Sequence, residues 1–203
     1  MHLFDRFKVY LYHRNRIKTW SGNLTKIQGW SSEHAQQVRF DVIRGAADFN
    51  GKHVVDLGCG YGELFDFLSE RDQLAKYTGV DQQRQFLKSA KQRLSDKLDI
   101  CRFVRADLSK FTHDNVDIVV ACGSLNYKSR DSEYLTSMVA HMYNMAGEAV
   151  IFNLLDSATF PKQNLVTGYN KQGVYLYCKT LCESVELIDG YADDDFTIVM
   201  RKS

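Results

Sequence analysis

Along this chain the apolar positions switch repeatedly between a helical period and short continuous runs. After Ser31-Ser32-Glu33, which offer an N-cap hydroxyl and a first-turn acid, Ala35, Val38, Val42, Ile43 and Ala46 recur at helical spacing and predict a helix. It leads into Val54-Val55-Asp56-Leu57, a buried strand. Leu64, Phe65 and Leu68 predict a short amphipathic helix, Tyr77-Thr78-Gly79-Val80-Asp81 a second strand, and Phe86, Leu87, Ala90 and Leu94 another helix. Phe103-Val104-Arg105-Ala106-Asp107-Leu108 reads as a third strand ending in an acid, and Asp117–Cys122 as a fourth. Tyr134, Leu135, Met138, Val139 and Met142 mark a further helix before the apolar strand Ala149-Val150-Ile151-Phe152. Such alternation predicts an α/β fold of three layers, a doubly wound parallel sheet with helices on both faces. The tail changes character. A helix around 170–182 is followed by Ser184–Ile188 and, across an acidic turn, Phe196–Met200, an antiparallel pair that makes the sheet mostly parallel with an antiparallel C-terminal strand.

Composition narrows the class. With 203 residues, 44% of them hydrophobic, and a single proline, Pro161, the chain can bury one sizeable core, and no Pro-rich or Gly/Ser-rich linker divides it. It has no internal repeat. The organisation expected is a cap segment over residues 1–30, helical, and one domain over 31–203. No apolar run approaches the roughly 20 residues of a membrane span, and the start lacks the apolar core of a signal peptide, so the expected location is the cytoplasm. Five cysteines without paired C-x-x-C spacing read as reduced thiols, and Cys178 and Cys182 lack histidine partners for a metal site; no metal is expected. The net charge of +1 hides an asymmetry. Arg6, Lys8, Arg14, Arg16, Lys18 and Lys26 face one acid, Asp5, near the start, whereas Glu183, Glu186, Asp189, Asp193, Asp194 and Asp195 cluster near the end. Such a distribution can steer a charged ligand.

The first strand runs directly into Gly58-Cys59-Gly60-Tyr61-Gly62 and then a helix. Glycines let the backbone turn tightly and meet a ligand where a Cβ would clash, and the free N–H groups of the next helix point into the same space. A dinucleotide fingerprint, G-x-G-x-x-G, needs glycine at 63, where this chain has Glu63. The pattern is G-x-G-x-G with Asp56 two residues ahead and Asp81 at the end of the next strand. With these motifs the chain resembles the class I S-adenosylmethionine-dependent methyltransferases, over roughly residues 30–203. The resemblance implies a Rossmann-like methyltransferase with S-adenosyl-L-methionine as cofactor. It further implies that Gly58 and Gly60 meet the methionine part, Gly62 allows close helix packing, and Asp56 orients the same part through backbone or water. Asp81 would bind the ribose hydroxyls, Asp107 and Leu108 would flank adenine, and Cys59, Gln82 and Cys122 complete the expected cofactor set.

The acceptor side is less legible. Where amine and base methyltransferases of this fold often carry Asp/Asn-Pro-Pro-aromatic, this chain has Gly123-Ser124-Leu125-Asn126-Tyr127, keeping the aromatic and losing both prolines. That departure counts against base methylation. Asn126 and Tyr127 are candidate substrate contacts, with packing beneath the next loop the other role open to Tyr127. Methyl transfer is chiefly a matter of alignment, which can supply roughly 7–11 kcal/mol, so a dedicated catalytic pair is not required. If the acceptor needs a general base, His34, His141 and His113 are the candidates, and the catalytic set expected is His34, His141 and Tyr127. The expected activity is methylation of a small-molecule metabolite or natural-product intermediate at oxygen or nitrogen, by a monomer or homodimer with no membrane partner. Two alternatives stand beside it: an RNA methyltransferase using the basic, aromatic amino-terminal arm (Phe7, Tyr10, Tyr12, Trp20), and a non-catalytic cofactor-binding accessory protein. Residues 1–30 are expected to act as a mobile cover hinged at Gly22 and Gly29.

Overall fold

In the computed structural model, which describes residues 1–202, two helices precede the alternating part of the chain, α1 (Leu3–Thr19) and α2 (Leu24–Gln28). Then follow α3 (Glu33–Ala46), β1 (His53–Leu57), α4 (Glu63–Ser69), β2 (Lys76–Asp81), α5 (Arg84–Arg93), β3 (Cys101–Arg105), β4 (Val116–Ala121), α6 (Tyr134–Met145) and β5 (Ala146–Leu155). The chain continues through α7 (Lys171–Leu181), β6 (Ser184–Ile188) and β7 (Asp195–Arg201). The strands form one sheet in the order β3-β2-β1-β4-β5-β7-β6. β1 lies parallel to β2 on one side and β4 on the other, with Val55 beside both Thr78 and Val119, whereas β7 is antiparallel to β5 and β6. The expected mostly parallel sheet with an antiparallel C-terminal strand is therefore present.

Strand order reverses at β1. Its following helix, α4, packs on one face of the sheet and α6, after β4, on the other, which opens a crevice beyond the carboxyl ends of these two strands. Alternation along the strands feeds both faces: Val55, Leu57, Val119, Val150 and Phe152 meet α6 and α7, while Val54, Ile118, Val120 and Ile151 meet α3, α4 and α5. Among the described residues, no helix is long and apolar enough to cross a membrane, and no three His, Cys, Asp or Glu side chains gather as a metal site.

Three local expectations are corrected. Ser32 is the N-cap of α3, its hydroxyl accepting Ala35 N–H at 3.1 Å, but the buried face is Gln36, Arg39, Phe40, Ile43 and Ala46. The apolar stripe is split: Phe40, Ile43 and Ala46 enter the core, while Ala35 and Val38 turn to a cavity described below. β3 ends at Arg105, short of Asp107, because the Asp107 side chain turns back to accept the backbone and hydroxyl hydrogens of Ser109 at 3.1 and 2.9 Å. β5 is longer than Ala149–Phe152, since β7 pairs with it from Ala149 to Leu155.

Candidate active site

The turn after β1 is pinned to β2 by the Gly58 and Cys59 N–H groups, which donate to Val80 O at 2.7 and 3.1 Å. Gly58 and Gly60 adopt φ values of +91° and +55°, and a Cβ on them would collide with Ser124 and with the Gln28 side chain. At the end of β2, Asp81 is buried and faces this turn. Its Oδ2 accepts Gly60 N–H at 3.1 Å and its Oδ1 accepts Gln83 N–H at 2.7 Å. Burial pushes its carboxyl up to about 6 despite these bonds. Beside it, the Gln83 side-chain nitrogen is buried without a hydrogen-bond partner, an unusual and costly state that points to a ligand.

These groups open on a cavity of about 790 Å3, within the range of small-molecule sites. Of the residues expected in the cofactor and acceptor sites, Gly58, Gly60, Asp81, Gln82, Asp107, Leu108, Cys122, Asn126, Tyr127 and His34 line it, whereas Asp56, Cys59, Gly62, His141 and His113 do not. Asp56 lies inside the sheet, where it accepts the Tyr77 hydroxyl at 2.6 Å and burial raises its carboxyl to about 7. The Cys59 thiol is buried against Gly79, and Gly62 precedes α4 at φ +76°, where a Cβ would lie 3.1 Å from Phe103 and 3.2 Å from Leu94. His141 is the clear correction: on α6, its Nε2 sits 2.6 Å from Phe111 O, outside the cavity wall. His113 packs edge-to-face on His53 at 4.8 Å, at the amino end of β1 and so at the opposite edge of the sheet.

α1 roofs the cavity, and it does so with polar groups. Its buried residues are Asp5, Val9 and His13, one stripe at i, i+4 and i+8, while Leu3, Phe4, Phe7 and Tyr10 face outward. Asp5 accepts Arg130 N–H at 2.9 Å; Arg6 pairs with Asp107 at 2.9 Å and donates to Gln82 Oε1 at 3.3 Å. His13 Nε2 lies 2.7 Å from the Tyr127 hydroxyl, and its Nδ1 lies 3.2 Å from Ile27 O. Burial depresses this imidazole to about 4. At the far rim the buried Arg39 grips Asp195 through two nitrogens, each at 2.9 Å, under the Trp30 ring; Asn153 donates to both oxygens of the same carboxylate, and Tyr191 also bonds it. Sequence reasoning missed His13, Arg6 and Arg39. The signal for His13 was its place in the i, i+4, i+8 stripe with Asp5 and Val9, away from the exposed apolar residues of the helix; Arg6 lies outside that stripe.

A doubly wound sheet ending in an antiparallel strand, with a glycine turn after β1 and a buried acid after β2, defines a nucleotide-cofactor-binding α/β protein. Comparison with known proteins names the family. A family model described as a methyltransferase domain matches residues 54–146. Rv1506c of Mycobacterium tuberculosis (strain ATCC 25618 / H37Rv), which carries a methyltransferase name, is 31% identical over 170 residues, covering 80% of this chain and 98% of its own length. A trans-aconitate 2-methyltransferase of Klebsiella pneumoniae (strain 342) is 32% identical over 103 residues, 50% of this chain but only 39% of that relative. The crystal structure of magnesium protoporphyrin IX methyltransferase from Synechocystis PCC 6803 with bound SAH shares the fold at TM-score 0.70 and 16% identity, covering 98% of this chain and 100% of that one. The chain belongs to the class I S-adenosylmethionine-dependent methyltransferases, and its cofactor is S-adenosyl-L-methionine.

The residues present fit that cofactor. Gly58, Gly60, Asp81 and Gln83 all line the cavity, and beyond the Gly60 and Gln83 N–H bonds Asp81 retains lone pairs that would take the two ribose hydroxyls.

Proposed function

We propose that this methyltransferase acts on a small-molecule acceptor, at oxygen or nitrogen, inside the cavity under α1. The observation that carries the reading is the roof: a 790 Å3 space closed by a helix that hydrogen bonds and an ion pair tie to the loops after β3 and β4. An acceptor must fit beneath it. The relatives named for trans-aconitate and magnesium protoporphyrin IX support a small-molecule acceptor, without bearing on the atom methylated.

S-adenosylmethionine supplies an electrophilic methyl group whose transfer leaves a neutral thioether. Asp81 would accept the ribose hydroxyls in charge-assisted bonds, with Gln83 beside it, and Gly58 and Gly60, whose N–H groups are held by Val80 O and the Asp81 carboxylate, would border the cofactor with bare backbone. Asp107 and Leu108 border the adenine side, where Arg6 holds the roof to Asp107. Tyr127, Asn126 and His34 stand on the cavity wall for the acceptor. By excluding water and fixing the approach, the roof provides the alignment on which this reaction mainly depends.

One observation favours RNA as a second reading: Phe4, Phe7 and Tyr10 are exposed beside Lys8 and Arg14, a surface able to stack bases and meet phosphates. Incubation of the pure protein with isotopically labelled cofactor, a metabolite extract and bulk RNA separates the two. Label is expected in small molecules; label confined to RNA, with binding that weakens steeply as salt rises, would replace this proposal.

A further inference from the structure

We infer that the acceptor's reacting atom carries a hydrogen, as in a neutral amine or a hydroxyl compound and not a carboxylate, and that Tyr127 receives that hydrogen while His13 sets the direction of Tyr127's own proton. The inference rests on the small-molecule reading above and narrows its substrate class.

The two residues stand 114 positions apart in sequence and meet under the roof at 2.7 Å. Ile27 O can only accept, so the His13 Nδ1 facing it at 3.2 Å must hold a proton. The ring is buried and has the Arg16 cation near it, both of which favour the neutral form against the opposing hydrogen bond to Ile27 O. A neutral imidazole with hydrogen on Nδ1 has a bare lone pair on Nε2, so the Tyr127 hydroxyl donates to it. The phenol proton is thereby committed. Lone pairs alone are what Tyr127 Oη has left to offer a further partner, and both residues line the cavity.

A carboxylate has no hydrogen for those lone pairs and would meet them with its own. Turning the phenol proton toward it would strand the buried His13 Nε2 without a partner. An amine or hydroxyl fits: its hydrogen bonds Tyr127 Oη while another lone pair remains for the methyl carbon. That pair forms the new bond, the electrons of the breaking carbon–sulfur bond stay on sulfur, and the acceptor's proton has a defined exit. A methylated amine leaves as the ammonium and yields its proton to water. From a hydroxyl the proton passes to Tyr127 Oη as the phenol proton moves to His13 Nε2, and thence to water. Burial makes His13 a reluctant holder of that proton, so an amine is the better served of the two.

The test uses methyl-tritiated S-adenosylmethionine, the full-length protein and a metabolite extract, followed by mild alkali. Carboxylate methyl esters hydrolyse to volatile labelled methanol, whereas N-methyl groups and methyl ethers keep their label. Alkali-stable label is expected. Label released as methanol overturns this inference and leaves the small-molecule reading standing; label only in macromolecules, or in no product, overturns that reading and the inference with it. Tyr127→Phe should lower transfer by roughly tenfold or more with S-adenosylhomocysteine affinity unchanged in calorimetry. His13→Gln, whose amide oxygen can still take the phenol proton, should retain more turnover than His13→Phe. Full activity in Tyr127→Phe, equal losses in the two His13 variants, or a loss of cofactor affinity matching the loss of turnover would each overturn the assignment.

Discussion

At the scale of single residues, Asp81 concentrates the cofactor chemistry. Its position was legible from the strand that ends on it, but its state was not: only burial between Gly60 and Gln83 raises the carboxyl to about 6. In the proposed ribose contact the ionised form would accept both hydroxyls and the protonated form would surrender a lone pair, so cofactor affinity should be full above about pH 6 and fall as pH drops through it. Calorimetry with S-adenosylhomocysteine from pH 5 to 8 checks this. Asp81→Asn should weaken binding by about 1.5–3 kcal/mol and flatten the profile. An unchanged affinity, or a pH step that survives in the variant, would remove Asp81 from the ribose.

Among the elements, α1 departs furthest from what its composition suggested. Apolar side chains on a helix ordinarily form the face that packs, yet Leu3 is 73% and Phe7 56% exposed and the buried stripe is Asp5, Val9 and His13. The sheet and its covering helices bury their apolar faces against one another with little help from α1, whose tethers are polar. Deleting residues 1–22 should therefore leave the far-ultraviolet circular dichroism of the remaining domain intact. Because Arg6 bonds Asp107 and Gln82, the truncation should weaken cofactor binding by about two- to tenfold, the scale of one half-exposed ion pair and hydrogen bond. Turnover should fall further, by roughly a hundredfold, since alignment is lost. Full turnover without α1 would make it an interaction arm and not a roof.

For the whole molecule, the Arg39–Asp195 pair joins α3, from one face of the sheet, to the start of β7, with Asn153 of β5 completing the knot. Both partners are buried, so removing one strands the other. Arg39→Leu should cost about 3–5 kcal/mol, a fall in Tm of roughly 6–20 °C for a chain of this size. A loss below about 1 kcal/mol in thermal unfolding would show that water reaches Asp195 readily. Of the basic start and acidic end of the chain, Arg6, Asp193, Asp194 and Asp195 reach the wall of one cavity, where Arg6 and Arg39 each face a carboxylate.

The sequence by itself determined the alternation of strand and helix, the antiparallel ending, the glycine turn after β1 and the acid after β2. Each is encoded by neighbours: a hydrophobic period repeats within a few residues, and a backbone that must adopt positive φ beside a close contact admits glycine at that position alone. The tertiary structure decided which face α1 buries, that His141 and His113 stand away from the cavity, and that His13 meets Tyr127 across 114 residues and Arg39 meets Asp195 across 156. A hydrogen bond between two distant polar side chains has no period and no composition to announce it. It exists only once the sheet has set both ends in place, which is why the glycine turn and the acid after β2 could be read along the chain and the polar contacts beneath α1 only from the fold.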